Sequence, residues 1–410
     1  MTWLYNLGIL AYYLLVKIVS VRNEKARKWI EGRRDIFKRL RETITPGEPI
    51  LWFHVSSLGE FEQGRPVIEE IRNIKPEYKI LLTFFSPSGY ELKKDYQYAD
   101  YVFYLPLDTQ KNATQFIDIV KPDKVFFVKY EFWYHFLTQL KKEAIPTYIF
   151  SALFRPSQIF FKPWGKWYLK AIQTYEHIFV QNQESFEILN RFGFNNVSVS
   201  GDTRLDRVGE IADDSPRLDK LELFCGSQKA IIAGSTWKED EDLFIPYLNK
   251  AASGQKFVIA PHEVTLQSLE RISSALEKPY AFYSSATNEE LAKADVLIVD
   301  GYGTLVSIYR YGMLAYVGGG FTSGIHSILE PAVFGLPVIF GPDYHKFQEA
   351  HDMLSLGGAS CINNYEELET HIDTYRFNHE KLLAASAVAR DYVNKNRGAS
   401  SEIVKYLFNS

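Results

Sequence analysis

Residues 50–60 read ILWFHVSSLGE, and the class of fold turns on them. The run ILWFHVSS (50–57) is rich in β-favouring side chains, and its apolar part does not alternate polar with apolar, as a strand covered on both faces requires. Leu58, Gly59 and Glu60 then lead straight into a helical pattern that reaches Ile74. The same theme recurs at KILLTFF (79–85), YVFYLPL (101–107), KVFFVKY (124–130), TYIFSA (147–152) and HIFVQN (177–182). Apolar strands separated by helices predict a parallel sheet with helices on both faces.

A second series starts after SVSGDTRLD (198–206): KAIIAGS (229–235), KFVIAPHE (256–263), ADVLIVD (294–300), LAYVGGG (314–320) and PVIFG (337–341). A chain of 410 residues is too long for one ordinary core. The expected fold is therefore α/β, with two Rossmann-like domains facing a cleft and an N-terminal membrane-anchor helix. The divisions are an anchor at 1–21, a first domain at 22–205, a second at 206–378, and C-terminal helices at 379–410 that pack back on the first domain. The polar stretch 201–216 reads as the hinge. Ligands of such sheets bind beyond the carboxyl ends of the strands.

The composition is globular, with 46% hydrophobic and 23% charged residues. A net charge of −4 gives no footing for nucleic acid. Cys225 and Cys361 fit no metal-ligand spacing and read as small buried hydrophobes in a reducing setting.

Residues 1–21, MTWLYNLGILAYYLLVKIVSV, are about as long as a bilayer core demands. Lys17 sits near the end, where its stem can snorkel, and Trp3, Tyr5, Tyr12 and Tyr13 suit an interface. A basic collar follows, including Arg22, Lys25, Arg27, Lys28, Arg33, Arg34, Lys38, Arg39 and Arg41. The positive-inside rule puts the large domains in the cytoplasm, and the collar suits anionic phospholipid headgroups or a phosphorylated lipid. The other reading is an amphipathic helix packed on the protein.

Chemistry is expected at the strand ends. Glu60 follows Ser57 and Gly59 in the first strand–helix turn. It is placed either to accept a proton from an attacking hydroxyl or simply to complement the start of a helix. His54 and Glu62 are weaker candidates for the same task. Glu131, in YEFW (130–133), supports Glu60, contacts an acceptor or caps a helix. In the second series, VGGGFTSGIHSILEPAVFGLPVIFGP (317–342) is the densest constellation. Gly318, Gly319 and Gly320 end a strand, and Thr322, Ser323 and Gly324 are read as preceding a short helix whose amides bind a phosphate. Glu330, acceptor-only when ionised, suits a ribose diol. The bland alternative is a Gly-rich turn that only packs helix on sheet. Ser235 and Thr236 end one strand as donors to a phosphate or carboxylate, and His262 ends the next. Arg204 pairs with an anionic donor group or with Asp206.

Taken in order, these motifs resemble those of bacterial Kdo (3-deoxy-D-manno-octulosonic acid) transferases. HVSSLGE is similar to their W-x-H-x-x-S-x-G-E, SPSG (86–89) to T-P-T-G, PLD (106–108) to P-x-D, EFW (131–133) to E-x-W, and QN (181–182) to Q-N. GST, PHE and the run to Glu330 with FGP downstream follow in the family's order. The resemblance covers nearly the whole chain. It implies a GT-B-type fold, a CMP-Kdo donor, a lipid A precursor as acceptor, inversion at the sugar, and the inner membrane with the catalytic domains on the cytoplasmic side. It assigns Glu60 as catalytic base. Ser235, Thr236, His262, Gly319, Gly320, Thr322, Ser323, Gly324, His326, Ser327, Glu330 and Arg204 fall to the donor side. Ser57, Gly59, Ser86, Ser88 and Glu131 fall to acceptor or support. It implies no metal and no cofactor. Ser327 stands where the family has asparagine, and Lys129 where it has an acidic residue. Arg155 is displaced by two positions from the family's arginine. Competing readings are another GT-B enzyme, such as a UDP-sugar transferase or a nucleotide-sugar 2-epimerase, and an inert lipid-binding protein.

Overall fold

The structure is a computed structural model and describes residues 2–408. Its contacts divide the chain into two units, Met1–Arg207 with Arg397–Ser410, and Val208–Asn396. The first unit holds strands β1 (Ile50–Val55), β2 (Lys79–Phe84), β3 (Tyr101–Tyr104), β4 (Lys124–Val128), β5 (Thr147–Ala152), β6 (His177–Val180) and β7 (Val197–Val199). They form one parallel sheet in the order β3-β2-β1-β4-β5-β6-β7. The second unit holds β8 (Ala230–Thr236), β9 (Phe257–Pro261), β10 (Tyr280–Phe282), β11 (Val296–Ile298), β12 (Gly312–Val317), β13 (Val338–Phe340) and β14 (Ala359–Cys361). Their order is β10-β11-β9-β8-β12-β13-β14, again all parallel.

The unbroken apolar runs have the burial they call for. Along β1, Ile50 and Trp52 enter one hydrophobic cluster while Leu51, Phe53 and Val55 enter another, so the strand feeds a core on each face. In β8, Ile231 and Ala233 face one cluster and Ala230 and Ile232 the other. Each sheet therefore has two cores and only its strand ends to offer a ligand.

The polar stretch read as a hinge is mostly helix, Arg204–Asp214, and the division between the units falls inside it. Asp206 does not pair with Arg204. Its carboxylate accepts from Ser400 N at 2.7 Å, Ser400 Oγ at 2.7 Å and Gly398 N, and so caps the helix Ala399–Phe408. That helix puts Ile403, Val404 and Leu407 into the core shared with Leu51 and Phe53. Of the C-terminal helices, His379–Lys395 stays with the second unit and only the last one joins the first.

Asp206→Ala strands the buried amide of Ser400 and removes the cap. We expect a loss of roughly 2 kcal/mol in chemical denaturation. Limited proteolysis should open the chain near residue 397 before the rest; a protection pattern like that of the parent protein would refute the latch.

Candidate active site

In the first sheet the chain turns back on itself between β1 and β4, the neighbouring strands from which it builds outward in opposite directions. Such a switch point leaves a crevice at the carboxyl ends. Glu60 follows β1 there, and Glu131 follows β4.

Ser57 caps the helix Leu58–Ile74, its Oγ accepting from Glu60 N at 3.4 Å. Glu60 returns the bond one residue earlier, its Oε2 accepting from Ser56 N at 2.5 Å, in the manner of a capping box. The side chain is thereby held over the strand end and not released into solvent. Its carboxyl also hydrogen bonds that of Glu131. Glu131 is 3% exposed and accepts from Trp133 Nε1, while the Tyr175 hydroxyl donates to its carbonyl. Behind both lies His54, on the same face of β1 as Trp52, its Nδ1 2.9 Å from Thr83 Oγ1 and its Nε2 3.1 Å from Glu131 Oε2.

Two carboxylates and an imidazole so placed cannot all carry charge. Burial first, and the Glu131 charge second, push the Glu60 carboxyl up to about 8. Burial raises Glu131 to about 7 against the hydrogen bonds it accepts. Burial holds His54 down to about 3, so the imidazole is neutral. Near neutral pH the carboxyl pair keeps a proton and titrates as a unit. A group tuned towards neutrality is what a general base at physiological pH needs.

Gly59 has a helical backbone, and a Cβ there would meet nothing nearer than Ser57 Oγ at 4.0 Å. The protein's own packing does not ask for glycine beside Glu60. Ser86 caps the helix Pro87–Lys93 at the end of β2 and bonds Ser88 Oγ at 2.8 Å. Glu62 lies near Lys93 and Arg65, at 3.6 and 3.9 Å. Arg204 is tied to Asp202, Nε at 2.9 Å and Nη2 at 2.6 Å, and Asp202 in turn accepts from Gln63 on the helix that carries Glu60. Arg204 thus braces the Glu60 helix within the first unit.

The second sheet repeats the construction, with its switch point between β8 and β12. Ser235 and Thr236 end β8, and Gly318–Gly320 follow β12. Ser235 holds a left-handed backbone (φ 53°), strain of the kind that gathers at functional strand ends. The Thr236 hydroxyl donates to Glu241 at 3.0 Å, and Arg271 grips the same carboxylate, so Thr236 is committed to structure rather than to an anion. Gly320 packs against Gly341 backbone to backbone, where a Cβ would lie 2.6 Å away, and Gly319 has φ 93°.

The expected helix after Thr322, Ser323 and Gly324 begins later, at Leu329. The amides of Gly324, Ile325 and His326 donate to the carbonyls of Gly319, Asp343 and Gly318. They are spent on holding the loop to β12 and to the FGP segment. Glu330 is half-buried in the first turn of the short helix, and Ser327 precedes it. What the loop does bring together is aromatic. Trp237, directly after Thr236, stacks on His262 (centroids 4.7 Å apart), and His262 stacks on His326 (4.3 Å). Trp237 Nε1 donates to His326 Nε2 at 3.1 Å. Burial, with His262 second, lowers His326 to about 4, so it stays neutral and able to accept. Sequence reasoning passed over Trp237. Its signal was an aromatic between a strand-ending GST and the acidic helix start KEDED.

Glu60→Gln should stabilise the protein. The folded carboxyl titrates near 8 and the unfolded one near 4.5, so parent stability falls as pH rises between those values and levels off above. The glutamine variant lacks this slope. Because the carboxyl is partly exposed, the gain at pH 8 is about 1–2 kcal/mol rather than the full shift. Thermal melts of both proteins from pH 5 to pH 9 read it; parallel curves would mean that Glu60 is not held in this way.

Comparison with known proteins agrees with this layout. Residues 31–207 match the family model of 3-deoxy-D-manno-octulosonic-acid transferase (kdotransferase). The chain is 28% identical over 355 residues to the 3-deoxy-D-manno-octulosonic acid transferase of Aquifex aeolicus, covering 82% of this chain and 90% of that protein. It is 27% identical to that of Chlamydia pneumoniae, covering 87% and 83%. Among solved structures, a UDP-GlcNAc 2-epimerase from Neisseria meningitidis superposes with a TM-score of 0.63 at 16% identity, over 88% of this chain and 100% of that one. MurG of Acinetobacter baumannii does so with a TM-score of 0.58 at 12% identity, over 88% and 100%. Those two likenesses are of fold, and the fold is of the GT-B type. The match of residues 31–207 and the relatives along most of the length carry more: the chain is a glycosyltransferase, similar to the 3-deoxy-D-manno-octulosonic acid (Kdo) transferases.

Proposed function

We propose that the protein moves Kdo from CMP-Kdo to a lipid A precursor of the lipid IVA type, with inversion, at the cytoplasmic face of the inner membrane. The observation that carries this reading is the Glu60–Glu131 pair at the switch point of the first sheet. It is a carboxyl group held by a backbone amide, raised towards neutrality by burial and by a second carboxyl, and bordered by open space at Gly59.

In this mechanism the acceptor's primary hydroxyl lies against Glu60. Its oxygen attacks the anomeric carbon of Kdo as its proton passes to the carboxylate. The new C–O bond forms on the face opposite CMP, and the bond to the phosphate breaks, its electron pair leaving with CMP. Glu131 takes no part in bond making; it sets the basicity of Glu60 and fixes its orientation. His54, neutral and buried, packs behind the pair. The donor is read onto the second unit, with the cytidine near the Trp237–His262–His326 stack and the ribose diol on Glu330. Ser323, Ser327, Thr322 and Ser235 are the side chains left to address the phosphate and the sugar carboxylate. Arg204 and Thr236 are assigned to support.

Mass spectrometry of the products from purified protein, a tetraacyl lipid A precursor and CMP-Kdo tests the reaction itself. An acceptor that gains no Kdo would end this reading. Glu60→Gln should keep donor affinity and lose turnover by roughly 10²–10⁴-fold. The acidic limb of kcat/KM should have an apparent pKa near 8, since Glu60 must lose its proton to act. Glu131→Gln removes the neighbouring charge and should move that limb to lower pH. An unmoved limb would dissociate Glu131 from the base.

Gly59→Ala adds a methyl where the protein has room and improves helix propensity, by ~1 kcal/mol. We expect an unchanged or higher Tm with turnover reduced at least about tenfold, because the methyl intrudes on the acceptor. Full activity would show that no substrate approaches residue 59.

A further inference from the structure

The N-terminal helix Thr2–Val19 passes by length and composition as a membrane span, with a mean hydropathy of 1.4 and no buried residue. At 1.5 Å per residue it is ~27 Å long, close to the ~30 Å of a hydrocarbon core. Its packing on the first unit is at odds with crossing. Thr2 Oγ1 meets Tyr134 OH at 3.4 Å, Tyr5 OH donates to Asp108 at 2.5 Å, and Asn6 Oδ1 lies 2.6 Å from His135 Nε2. Further along, Tyr12 packs on Trp29 and Phe85, with centroids 5.7 and 6.0 Å away.

Asp108 is fully buried and at the same time accepts from the amides of His135 and Phe136 at the start of the helix Tyr134–Lys142. Tyr5 thus completes a cap inside the folded unit. If the helix crossed the bilayer from its basic C-terminal end, Tyr5 would sit ~20 Å from that end, near the opposite surface. Asp108 and His135 would then have to enter the hydrocarbon or lose their partners, and neither is tolerable for a buried carboxylate.

The opposite face of the helix is apolar and open along its whole length. Leu4, Leu7, Leu10, Leu14 and Ile18 recur at helical spacing and are 47, 55, 53, 48 and 70% exposed. Exposed Arg22, Lys25 and Arg27 follow at once, and a groove of about 910 Å³ beside the helix is lined by Lys17, Arg33, Arg34 and Lys38 against Glu31 and Asp35, a net excess of cations. An apolar stripe flanked by cations is complementary to one leaflet of a bilayer that carries anionic lipid.

We propose that the Thr2–Val19 helix lies in the plane of an anionic membrane surface, its leucine stripe in the acyl region and its tyrosine face on the catalytic unit, and does not cross the bilayer. This deepens the membrane residence proposed above. It also sets the leaflet beside the candidate base, through Tyr12 on Phe85, Phe85 on Trp133 (4.9 Å) and Trp133 on Glu131. The lipid acceptor then reaches Glu60 sideways from the leaflet.

The test is a nitroxide depth scan of the full chain on vesicles of phosphatidylcholine and phosphatidylglycerol, with Cys225 and Cys361 replaced by alanine. Single cysteines are placed at Leu4, Leu7, Leu10, Leu14 and Ile18, with each variant's circular dichroism required to match the parent's. All five labels are expected at one shallow depth, ~5–10 Å below the headgroups. Depth that peaks at Leu10 and falls towards Leu4 and Ile18 would establish a crossing helix and overturn the proposal, leaving the glycosyl-transfer reading untouched. Labels equally open to aqueous quencher at all five positions would overturn membrane residence as well. No sugar donor or acceptor enters the measurement, so its failure is separable from failure of the transferase assay.

Discussion

Glu60, Glu131 and His54 occupy the ends of two adjacent parallel strands, where the sheet offers crevice but little water. A strand buried on both faces cannot send a charged side chain into either core, so titratable groups collect where the strands stop. The order of strands makes β1 and β4 neighbours, and their ends therefore bring Glu60 and Glu131 together. Once they meet, low solvation and mutual repulsion keep a proton on the pair. The basicity ascribed to Glu60 follows from topology before any substrate arrives. The surrounding bonds, from Ser56 N to Glu60 and from Trp133 to Glu131, serve to hold the oxygens still. Preorganisation of this sort costs folding energy, which the two cores of the first sheet supply.

The second unit obeys the same topology with different chemistry. Its switch point is lined by glycines and aromatic rings instead of carboxylates. Gly320 against Gly341 lets two loops meet backbone to backbone, and the amides of residues 324–326 seal that meeting. The outcome is a rigid floor from which Trp237, His262 and His326 rise as a stack. Two imidazoles beside an indole, with His326 held neutral by burial, present π-faces and hydrogen-bonding nitrogens. Such a surface suits a nucleobase better than a phosphate. Left-handed backbone at Ser235, and likewise at Lys129 and Ser151 in the first unit, marks strand ends where local conformation has yielded to the site.

Much of this was legible in the residues. The unbroken run read as strand at 50–57 holds β1 and overruns it by Ser56 and Ser57, because an apolar run with two buried faces is plain to read while the serines after it belong to the turn. The position of Glu60 was equally open to reading, since S-x-x-E after a strand is a helix start with a carboxyl directed back. The loop 320–328 was misread for a physical reason. Thr-Ser-Gly resembles a helix entry, yet Gly324 is left-handed and its amide is used across the loop. Pro331 two residues past the observed start was the better guide, as proline favours the first turn. The partners that Arg204 and Thr236 have within the fold, Asp202 and Glu241, were not legible, because a donor's partner is invisible without the fold. Arg33 was counted in a solvent-facing collar. It is instead threaded inward, its guanidinium 3.9 Å from the Trp29 ring and its donors on the carbonyls of Trp29, Phe85 and Leu105.

Arg33 also connects the N-terminal helices to the end of β2. It ties the helix Glu24–Glu31, which follows the apolar N-terminal helix, to Phe85 at the end of β2. Phe85 packs on Tyr12 on one side and on Trp133 on the other. One half-buried cation thus anchors an aromatic bridge that starts on the exposed apolar helix and ends on the carboxyl pair. The acceptor proposed for this enzyme carries several acyl chains, and lifting them into water would cost roughly 0.8 kcal/mol per methylene. In the proposed arrangement the reacting hydroxyl stays near the leaflet and avoids that cost, and a short path from the exposed apolar helix to the carboxyl pair is the construction that such an arrangement needs.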